Sequence, residues 1–269
     1  MESNQVTILG ARGSVPVSGA QYSLYGGATP CVLVETDAAA LVFDAGTGLN
    51  NLPQRVMKKY KKLHIFLSHL HLDHLLGIPM SPVLFDESFE VVFYAEDAGA
   101  AKNALRQMME RPLWPVGPEV FSAKVDFRSI GEGSCRIPDS PVTVHAMRTA
   151  HPGGALAFRT EWEGKSLVYA TDCELDASGS RQMEKFAADT QLFILDAQYT
   201  KEEYEKCRGY GHSYIQNSAA VIEGSHATRG LLFHHAPTHT DEQLQGMEQK
   251  LQQKWSNIGF AKEGEQIPL

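Results

Sequence analysis

Three histidines and an aspartate fall within six positions of an otherwise apolar stretch, LSHLHLDHLLG, at Leu67–Gly77. The stretch continues the apolar run HIFLS, so its polar residues begin where a predicted strand ends. Alternation along an extended segment puts His69, His71 and Asp73 on one side of the chain and the fourth polar residue on the other. One metal ion could bind the two histidines of that side, and a second could bind Asp73 and His74 if the backbone turns there. Helix-capping histidines in a polar loop are the alternative, but this spacing favours metal binding.

The composition is that of an ordinary globular protein and limits the class of partner. Hydrophobic residues make up 43% and charged residues 21% of the 269 residues, which is enough apolar material for a sizeable core. We therefore expect a single domain spanning residues 1–269. The formal net charge of −8 disfavours binding of long nucleic acid through an overall basic surface, although a local basic groove is still compatible with it.

The cysteines and the apolar runs indicate the compartment. The chain has four widely spaced cysteines without a CxxC pair, at Cys31, Cys135, Cys173 and Cys207. This usage is expected of a reduced, cytoplasmic protein. The first residues, MESNQVTILGARGS, lack the basic and apolar regions of a signal peptide. No run approaches about 18 uninterrupted apolar residues, so we expect no transmembrane helix.

Short β-type runs bounded by Gly, Pro or polar residues alternate with helical patterns. Strands are predicted for VTILG, CVLVET, ALVFDAG, HIFLSH, VTVHAMRT, ALAFRTEW, SLVYATD, LFILDA and GLLFHH. Helices are predicted for DAGAAKNALRQMME, HSYIQNSAAVIEGS and THTDEQLQGMEQKLQQKW. In the last helix, Thr240 and Gln243 have capping-box spacing, and one apolar face is formed by Leu244, Met247, Leu251 and Trp255. The pattern predicts an α/β layered architecture, with residues 81–130 as an insertion that covers the site.

Further candidate ligands lie at the ends of other apolar runs. His151 follows a predicted strand, Asp172 ends the run YATD, and His234 and His235 end GLLFHH. Each alone is as compatible with a loop as with a ligand, but together with the first cluster they indicate a site built from several strand ends. Asp44 also ends a strand, and we interpret it as orienting a ligand imidazole, with loop capping as the alternative.

Five motifs together resemble those of the metallo-β-lactamase fold superfamily: LVFDAG, HLHLDH, AHPGG, YATD and LFHHAP. The resemblance covers nearly the whole chain, and the second motif is highly specific. It implies a four-layer αβ/βα sandwich with a dinuclear metal site. Within the superfamily, the segments GARGSVPVSG, YGGATPCV and GHSYIQNSAAVI are similar to the phosphodiesterase branch that includes the tRNA 3′-processing endonuclease.

The resemblance also implies which residues bind metal. The first ion would be bound by His69, His71 and His151, the second by Asp73, His74 and His234, and Asp172 would bridge both. His234 is favoured over His235 because the last ligand of that branch lies three residues before a proline, here Pro237. Imidazole and carboxylate ligands suit two zinc ions, and also manganese or iron.

Such a site implies hydrolysis. Two neighbouring metal ions can hold a bridging hydroxide and polarise a phosphoryl oxygen. In the resembled branch, the histidine that corresponds to His212 contacts the scissile phosphate or helps to protonate the leaving group, so we expect His212 to be catalytic. Its packing against the loop RGYG is the alternative. Asp73 is expected to be required for both metal binding and activity.

The interval between His151 and Asp172 bears on the substrate. The tRNA-processing enzymes hold tRNA with a long arm between the corresponding motifs, whereas this interval of 21 positions is filled by two predicted strands. We therefore expect a small phosphodiester, such as a cyclic nucleotide, and a homodimer of the kind common among relatives. The alternatives are a tRNA or RNA 3′-end endonuclease, an acyl hydrolase of lactones, thioesters or β-lactams, and an iron-loaded redox or sensor domain.

The segment 81–130 carries candidate substrate contacts. Trp114 and Phe121 could stack on a base, and Arg111 could contact a phosphate. Packing of Trp114 under its own loop or at a dimer contact is the favoured alternative. Tyr25 and Arg12 are weaker candidates of the same kind.

Overall fold

The computed structural model describes residues 4–269, in which the strands form two seven-stranded mixed sheets. In spatial order, the first sheet consists of Gln266–Pro268 (β14), Gln5–Gly10 (β1), Cys31–Glu35 (β2), Ala40–Phe43 (β3), Lys62–Phe66 (β4), Glu90–Ala95 (β5) and Lys124–Ser129 (β6). The pairs from β14 to β3 are antiparallel, and those from β3 to β6 are parallel. The sheet therefore has one antiparallel and one parallel half.

The second sheet repeats this division. In spatial order it consists of Ile258–Phe260 (β13), Arg229–Phe233 (β12), Leu192–Asp196 (β11), Lys165–Ala170 (β10), Ala155–Trp162 (β9), Thr143–Thr149 (β8) and Gly133–Arg136 (β7). The pairs from β13 to β10 are parallel, and those from β10 to β7 are antiparallel. In both sheets, the parallel strands end at an edge from which loops carry polar residues.

The sheets pack face to face, and helices cover their outer faces. The helices are Gln54–Lys59 (α1), Ala98–Met108 (α2), Ala177–Phe186 (α3), Lys201–Cys207 (α4), Ile215–Gly224 (α5) and Asp241–Gln252 (α6). Between the sheets, the ring of Phe43 lies 5.6 Å from that of Phe158 and 5.5 Å from that of Tyr169. Separate apolar clusters join the first sheet to α2 and the second sheet to α3, α5 and α6. This is the predicted four-layer αβ/βα sandwich, and strands buried on both faces explain the continuous apolar runs.

The predicted elements are all present. Each run predicted as a strand contains one, and the three predicted helices correspond to α2, α5 and α6. Helix α6 begins with the capping box of Thr240 and Gln243, and Leu244 and Leu251 on its apolar face are buried. Trp255 is also buried but lies three residues beyond the end of the helix. Within residues 4–269, none of the helices has the length and hydropathy needed to cross a membrane.

The interpretation of residues 81–130 as an insertion over the site needs correction. The run EVVFYA forms β5, which pairs with β4, and residues 124–129 form the edge strand β6. Most of the segment therefore belongs to the first sheet and its covering helix, because its apolar residues complete that layer. Only the end of β5 and the start of α2 approach the polar edge described below.

Candidate metal centre

The polar residues predicted from the motifs converge at one edge of the sandwich. His69 and His71 follow β4, His151 follows β8, Asp172 follows β10, and His234 follows β12. Residues at the ends of strands on a rigid scaffold keep fixed positions, which a metal or catalytic site requires. The site thus lies where the two sheets meet, and both contribute to it.

The backbone turns sharply near the ends of three strands, β3, β10 and β12. Asp44, Asp172 and His234 have positive φ values of 60°, 52° and 64°. Residues other than glycine rarely adopt this left-handed conformation, and it persists only where surrounding contacts hold it. In all three residues, this conformation turns a carboxylate or imidazole group towards the edge where the two sheets meet.

A first cluster contains His69, His71, His151 and Asp172. The Oδ2 atom of Asp172 lies 3.6 Å from Nε2 of His69 and 3.8 Å from Nε2 of His151. Nδ1 of His71 lies 3.2 Å from Nε2 of His151. Their candidate ligand atoms all lie within 4.8 Å of one another, a spacing that one cation could bring to coordination distance.

A second cluster contains Asp73, His74 and His234. Nε2 of His74 and Nε2 of His234 lie 3.3 Å and 3.2 Å from Oδ1 of Asp172, the oxygen that faces away from the first cluster. Both nitrogens also lie 3.3 Å from Oδ2 of Asp73. The two carboxylate oxygens of Asp172 therefore face two different clusters, as a bridging ligand would.

The local conformation corrects one expectation and meets another. Simple alternation would place Asp73 with His69 and His71, but residues Leu72–His74 form a 3-10 turn rather than extended chain. Because of that turn, Asp73 and His74 both face the second cluster. This is the backbone turn on which the division of the motif between two ions depends.

The chemistry of the donor set fits divalent cations. Among residues 4–269, Nε2 of His69 and Nε2 of His74 are buried polar atoms that make no hydrogen bond of acceptable geometry, although carboxylate oxygens lie 3.6 Å and 3.3 Å from them. A buried nitrogen without a partner costs free energy, which coordination of a cation would recover. The combination of imidazoles with two carboxylates matches the ligand preferences of zinc, manganese and iron.

The pKa values follow the charges around the site. Burial is the main cause that lowers the pKa of His69 and of His151, so both imidazoles keep a lone pair available at neutral pH. Burial also opposes protonation of His74, but the carboxylates of Asp172 and Asp44 outweigh it and raise its pKa well above the usual value. The site therefore stabilises positive charge next to these carboxylates.

Hydrogen bonds from the far side hold the imidazoles in place. His74 donates from Nδ1 to Asp44 across 2.8 Å, and Asp44 also accepts hydrogen bonds from the backbone and hydroxyl of Ser68. His151 donates from Nδ1 to the carbonyl of Gly211 across 3.1 Å. Each ring thereby presents Nε2 to the site, which is the usual arrangement around metal-binding histidines. Asp44 thus has the orienting contact expected from the sequence.

His234 and the adjacent histidine face opposite directions. His234 donates from Nδ1 to Oε1 of Gln198 across 3.0 Å and points Nε2 at the second cluster. His235 hydrogen-bonds the carbonyl of Ala261 at 2.8 Å and stacks on Phe260, and burial lowers its pKa to about 3. His235 is therefore part of the core, and His234 is the histidine of this pair that faces the site.

His212 lies beside both clusters. Its Nδ1 donates to Oδ2 of Asp196 across 2.8 Å, and its Nε2 lies 4.0 Å from Oδ2 of Asp172. The ring stacks on His234 at 4.9 Å between centroids. Burial opposes protonation, but Asp196 outweighs it and raises the pKa of His212. An imidazole in this place can contact a phosphate oxygen or donate a proton.

The sequence does not single out the residues that position His212. Asp196 ends the run LFILD, and that strand-end position was the available signal. Glu174 accepts hydrogen bonds from the backbone of Gly209 and Gly211 and from the hydroxyl of Tyr204, and so holds the loop that leads to His212. A lone glutamate in a loop carries no comparable signal.

The other candidate contacts lie away from the clusters. Trp114 packs against the apolar cluster of the first sheet, and Phe121 contacts Phe85 edge to face. Arg111 donates to the carbonyl of Pro115 within its own loop. Trp114 is thus a packing residue of the first sheet's apolar cluster, and packing was the favoured alternative to base stacking.

Tyr25 and Arg12 are fully buried, which corrects their assignment as substrate contacts. Arg12 donates to the carbonyls of Gly26, Ala236 and His239. It thus ties the N-terminal loop to the segment that follows His234. Its role is structural because its guanidinium is occupied by backbone oxygens.

Comparison with known proteins gives the family. The sequence pattern described as "Beta-lactamase superfamily domain" matches residues 40–235, which is more than half of the chain. The chain belongs to this family. The match begins at β3 and ends at His235, so it includes both clusters and His212. The protein is a metallo-β-lactamase fold hydrolase.

Individual relatives carry different names. A protein named Ribonuclease Z from Bradyrhizobium diazoefficiens is 23% identical, over 89% of this chain and 92% of its own length. Its alignment spans 291 positions, more than the 269 residues of this chain, so the relative has inserted residues that this chain lacks. Two solved structures share the fold over nearly their whole lengths. The metallo-beta-lactamase fold protein YhfI from Bacillus subtilis has a TM-score of 0.74 at 19% identity over 98% of both chains. A diphosphatase of the PhnP family has a TM-score of 0.71 at 18% identity, over 99% of this chain and 98% of its own.

Proposed function

We propose that this protein hydrolyses a small phosphodiester, such as a cyclic nucleotide, with two divalent metal ions. The observation that carries the proposal is the position of Asp172, whose two carboxylate oxygens face two separate ligand clusters with His212 beside them. When bound, two such ions supply Lewis acidity towards a phosphoryl oxygen and an activated water at neutral pH. Zinc is proposed because imidazole and carboxylate ligands suit it.

The residues have distinct tasks in this proposal. His69, His71 and His151 would hold one ion, Asp73, His74 and His234 the other, and Asp172 both. Asp44, Gln198 and the carbonyl of Gly211 fix the ring orientations through Nδ1. Because Nδ1 of His212 is engaged by Asp196, its Nε2 is the atom available to contact the scissile phosphate or to protonate the leaving oxygen.

The limited space between the third and fourth motifs supports a small substrate. Residues 151–172 contain β9 and β10, which are joined by the two-residue turn Glu163–Gly164. A hairpin this tight has no room for an RNA-gripping arm, and the net charge of −8 does not favour a polyanion. A small phosphodiester needs neither an RNA-gripping arm nor a surface that attracts a polyanion.

Ribonuclease Z activity is the second candidate, because curated relatives carry that name. Two observations argue against it. The hairpin between β9 and β10 is tight, and the Bradyrhizobium protein has inserted residues that this chain lacks. Hydrolysis of precursor tRNA by the purified, metal-loaded protein would support this candidate over ours.

A substrate panel tests the proposal. Zinc- and manganese-loaded protein is assayed with cyclic nucleotides, bis(p-nitrophenyl) phosphate, an acyl lactone and a precursor tRNA. We expect turnover of the first two and none of the last two. Turnover of the lactone without any phosphodiester would refute the proposal in favour of an acyl hydrolase. Elemental analysis of the purified protein identifies the metal and separates these outcomes from an iron-loaded redox domain.

A further inference from the structure

We propose that a cavity next to the first cluster binds a neutral, nucleoside-sized part of the substrate and discriminates against a second phosphate. The inference rests on the proposed phosphodiesterase function and narrows its substrate class. It concerns the group attached to the scissile phosphate, which neither the motifs nor the ligand clusters specify.

The cavity has the size and the surface of a small-molecule site. Its volume is about 610 Å³, within the usual range for ligand pockets. Its inner wall includes His69 and His71, so it opens directly onto the first cluster. Apolar surface is contributed by Leu67, Leu70, Ala95, Ala100 and Pro152. A sugar or a base could pack there while its phosphate lies at the clusters.

The charged groups on the outer side determine what can enter. Among the lining residues, Glu96 and Asp97 are acidic and Arg148 is basic. Nε of Arg148 donates to Oε1 of Glu96 across 2.6 Å, so the positive charge of Arg148 is already paired. The lining contributed by residues 4–269 is therefore net negative outside the candidate ligands, and a second phosphate placed beside Glu96 and Asp97 meets repulsion.

The carboxylate of Glu96 offers the ligand a hydrogen-bond acceptor. Glu96 directs Oε2 towards the backbone turn at Gly154, where a Cβ would lie 4.0 Å from this oxygen. A Cβ at Gly153 would have no atom of residues 4–269 within 4 Å, so there is space beside the turn. A carboxylate oxygen beside open space accepts hydrogen bonds from ribose hydroxyls or from the amino group of a base.

The test compares two substrates that differ by one phosphate: the dithymidine phosphodiester with and without a terminal 5′-phosphate. For the metal-loaded wild-type protein, we expect kcat/KM to be about tenfold lower with the additional phosphate, because like charges oppose each other in the cavity. The Glu96→Gln variant removes one of these charges and frees Arg148, so the difference should shrink to about twofold. The control Glu161→Gln alters a comparable arginine–glutamate pair, with Arg159 on β9, and should leave the wild-type ratio unchanged.

A binding measurement keeps the inference testable apart from turnover. Titration calorimetry of metal-loaded protein with thymidine should show binding that weakens at least about threefold in both Glu96→Gln and Arg148→Met. Equal kcat/KM for the two substrates in the wild type, or thymidine binding that neither substitution changes, would overturn the inference.

The two proposals fail in different ways. If bis(p-nitrophenyl) phosphate is hydrolysed but the terminal phosphate and the substitutions have no effect, the cavity inference alone is wrong. If no phosphodiester is hydrolysed, the proposed function is wrong, and thymidine binding in the wild type and the two variants decides whether the cavity takes a neutral nucleoside.

Discussion

Neighbouring residues of the same type have different roles in this protein. His234 faces the second cluster, whereas His235 hydrogen-bonds the carbonyl of Ala261 inside the core. The motif spacing favours the first of the two, but it cannot show the φ of 64° that turns His234 towards the site. Sequence identified the ligand candidates because strand ends and residue types are visible in it. It could not identify Gln198 or Asp196 as their partners, because those contacts exist only after distant segments pack.

The first prediction concerns His212. The His212→Ala variant should retain its metal content, because the two clusters remain. Its kcat should fall about 10²–10⁴-fold, because a positioned acid–base group is lost. Elemental analysis and steady-state kinetics with bis(p-nitrophenyl) phosphate measure the two quantities. His145→Ala is a control, since His145 lies on β8 next to Ser134 and away from the clusters. Unchanged turnover in His212→Ala would remove this residue from the mechanism.

A second prediction uses two glycines of one loop. Gly209 and Gly211 both have positive φ, 84° and 89°. A Cβ at Gly211 would lie 2.1 Å from Nδ1 of His151, whereas a Cβ at Gly209 would meet no atom of the described part of the chain within 4 Å. Gly209→Ala should therefore cost only the backbone strain, about 1 kcal/mol of stability. Gly211→Ala should in addition displace His151 and lower both metal affinity and activity.

Chemical denaturation gives the stability of each variant, and titration with zinc gives its metal affinity. Equal metal affinities for the two variants would contradict the close contact between Gly211 and His151.

At the scale of elements, apolar runs predict individual strands well, but they do not show which strands pair with each other. The runs around β2, β4, β10 and β11 are apolar because both faces of these strands are buried, and they were recognised as strands. The sequence pattern does not predict the edge strand β6, since its residues are only partly buried or exposed and mixed in character. It also does not show that the run of β5 pairs with β4, which is why this run falls within the predicted insertion.

A third prediction concerns the start of α6. The Thr240 side chain accepts a hydrogen bond from the backbone of Gln243, whose own side chain accepts one from the backbone of Thr240. Thr240→Ala should lower the free energy of unfolding by about 1 kcal/mol, because a cap is lost at the helix start. Urea denaturation measures this change. The exposed helix residue Gln245→Ala is the control and should change stability by less than about 0.5 kcal/mol. Equal effects of the two substitutions would show that the cap is not stabilising.

At the scale of the molecule, the two sheets depend on each other through the site. Residues 69–74 belong to the first sheet's loops, and His151, Asp172 and His234 to those of the second. Both clusters therefore combine residues from the two sheets. The family, the layered fold and the grouping of the candidate ligands could be predicted from the motifs and the resemblance that they carry. The distances between these ligands could not, because they depend on how the sheets pack.

The fourth prediction follows from this shared site. Zinc at about 100 times its dissociation constant should raise the free energy of unfolding by about 2.7 kcal/mol, since the ion binds the folded state. Thermal denaturation with and without zinc measures the effect. Asp172→Asn should lose most of it because the shared carboxylate is gone. Asp139→Asn is a matched control, as Asp139 also has a positive φ, 57°, but lies in a turn outside the clusters. The same zinc effect in both variants would exclude Asp172 as a ligand.

The division of each cluster between the sheets has a consequence for biosynthesis. During synthesis, the histidines of residues 69–74 emerge well before Asp172 and His234, so an ion bound early would have an incomplete ligand set. Tight metal uptake would then be delayed until the last third of the chain has joined the sandwich, and metal retention would report on completed assembly. A fragment ending at residue 130 lacks His151, Asp172 and His234, so it should bind zinc far more weakly than the full chain.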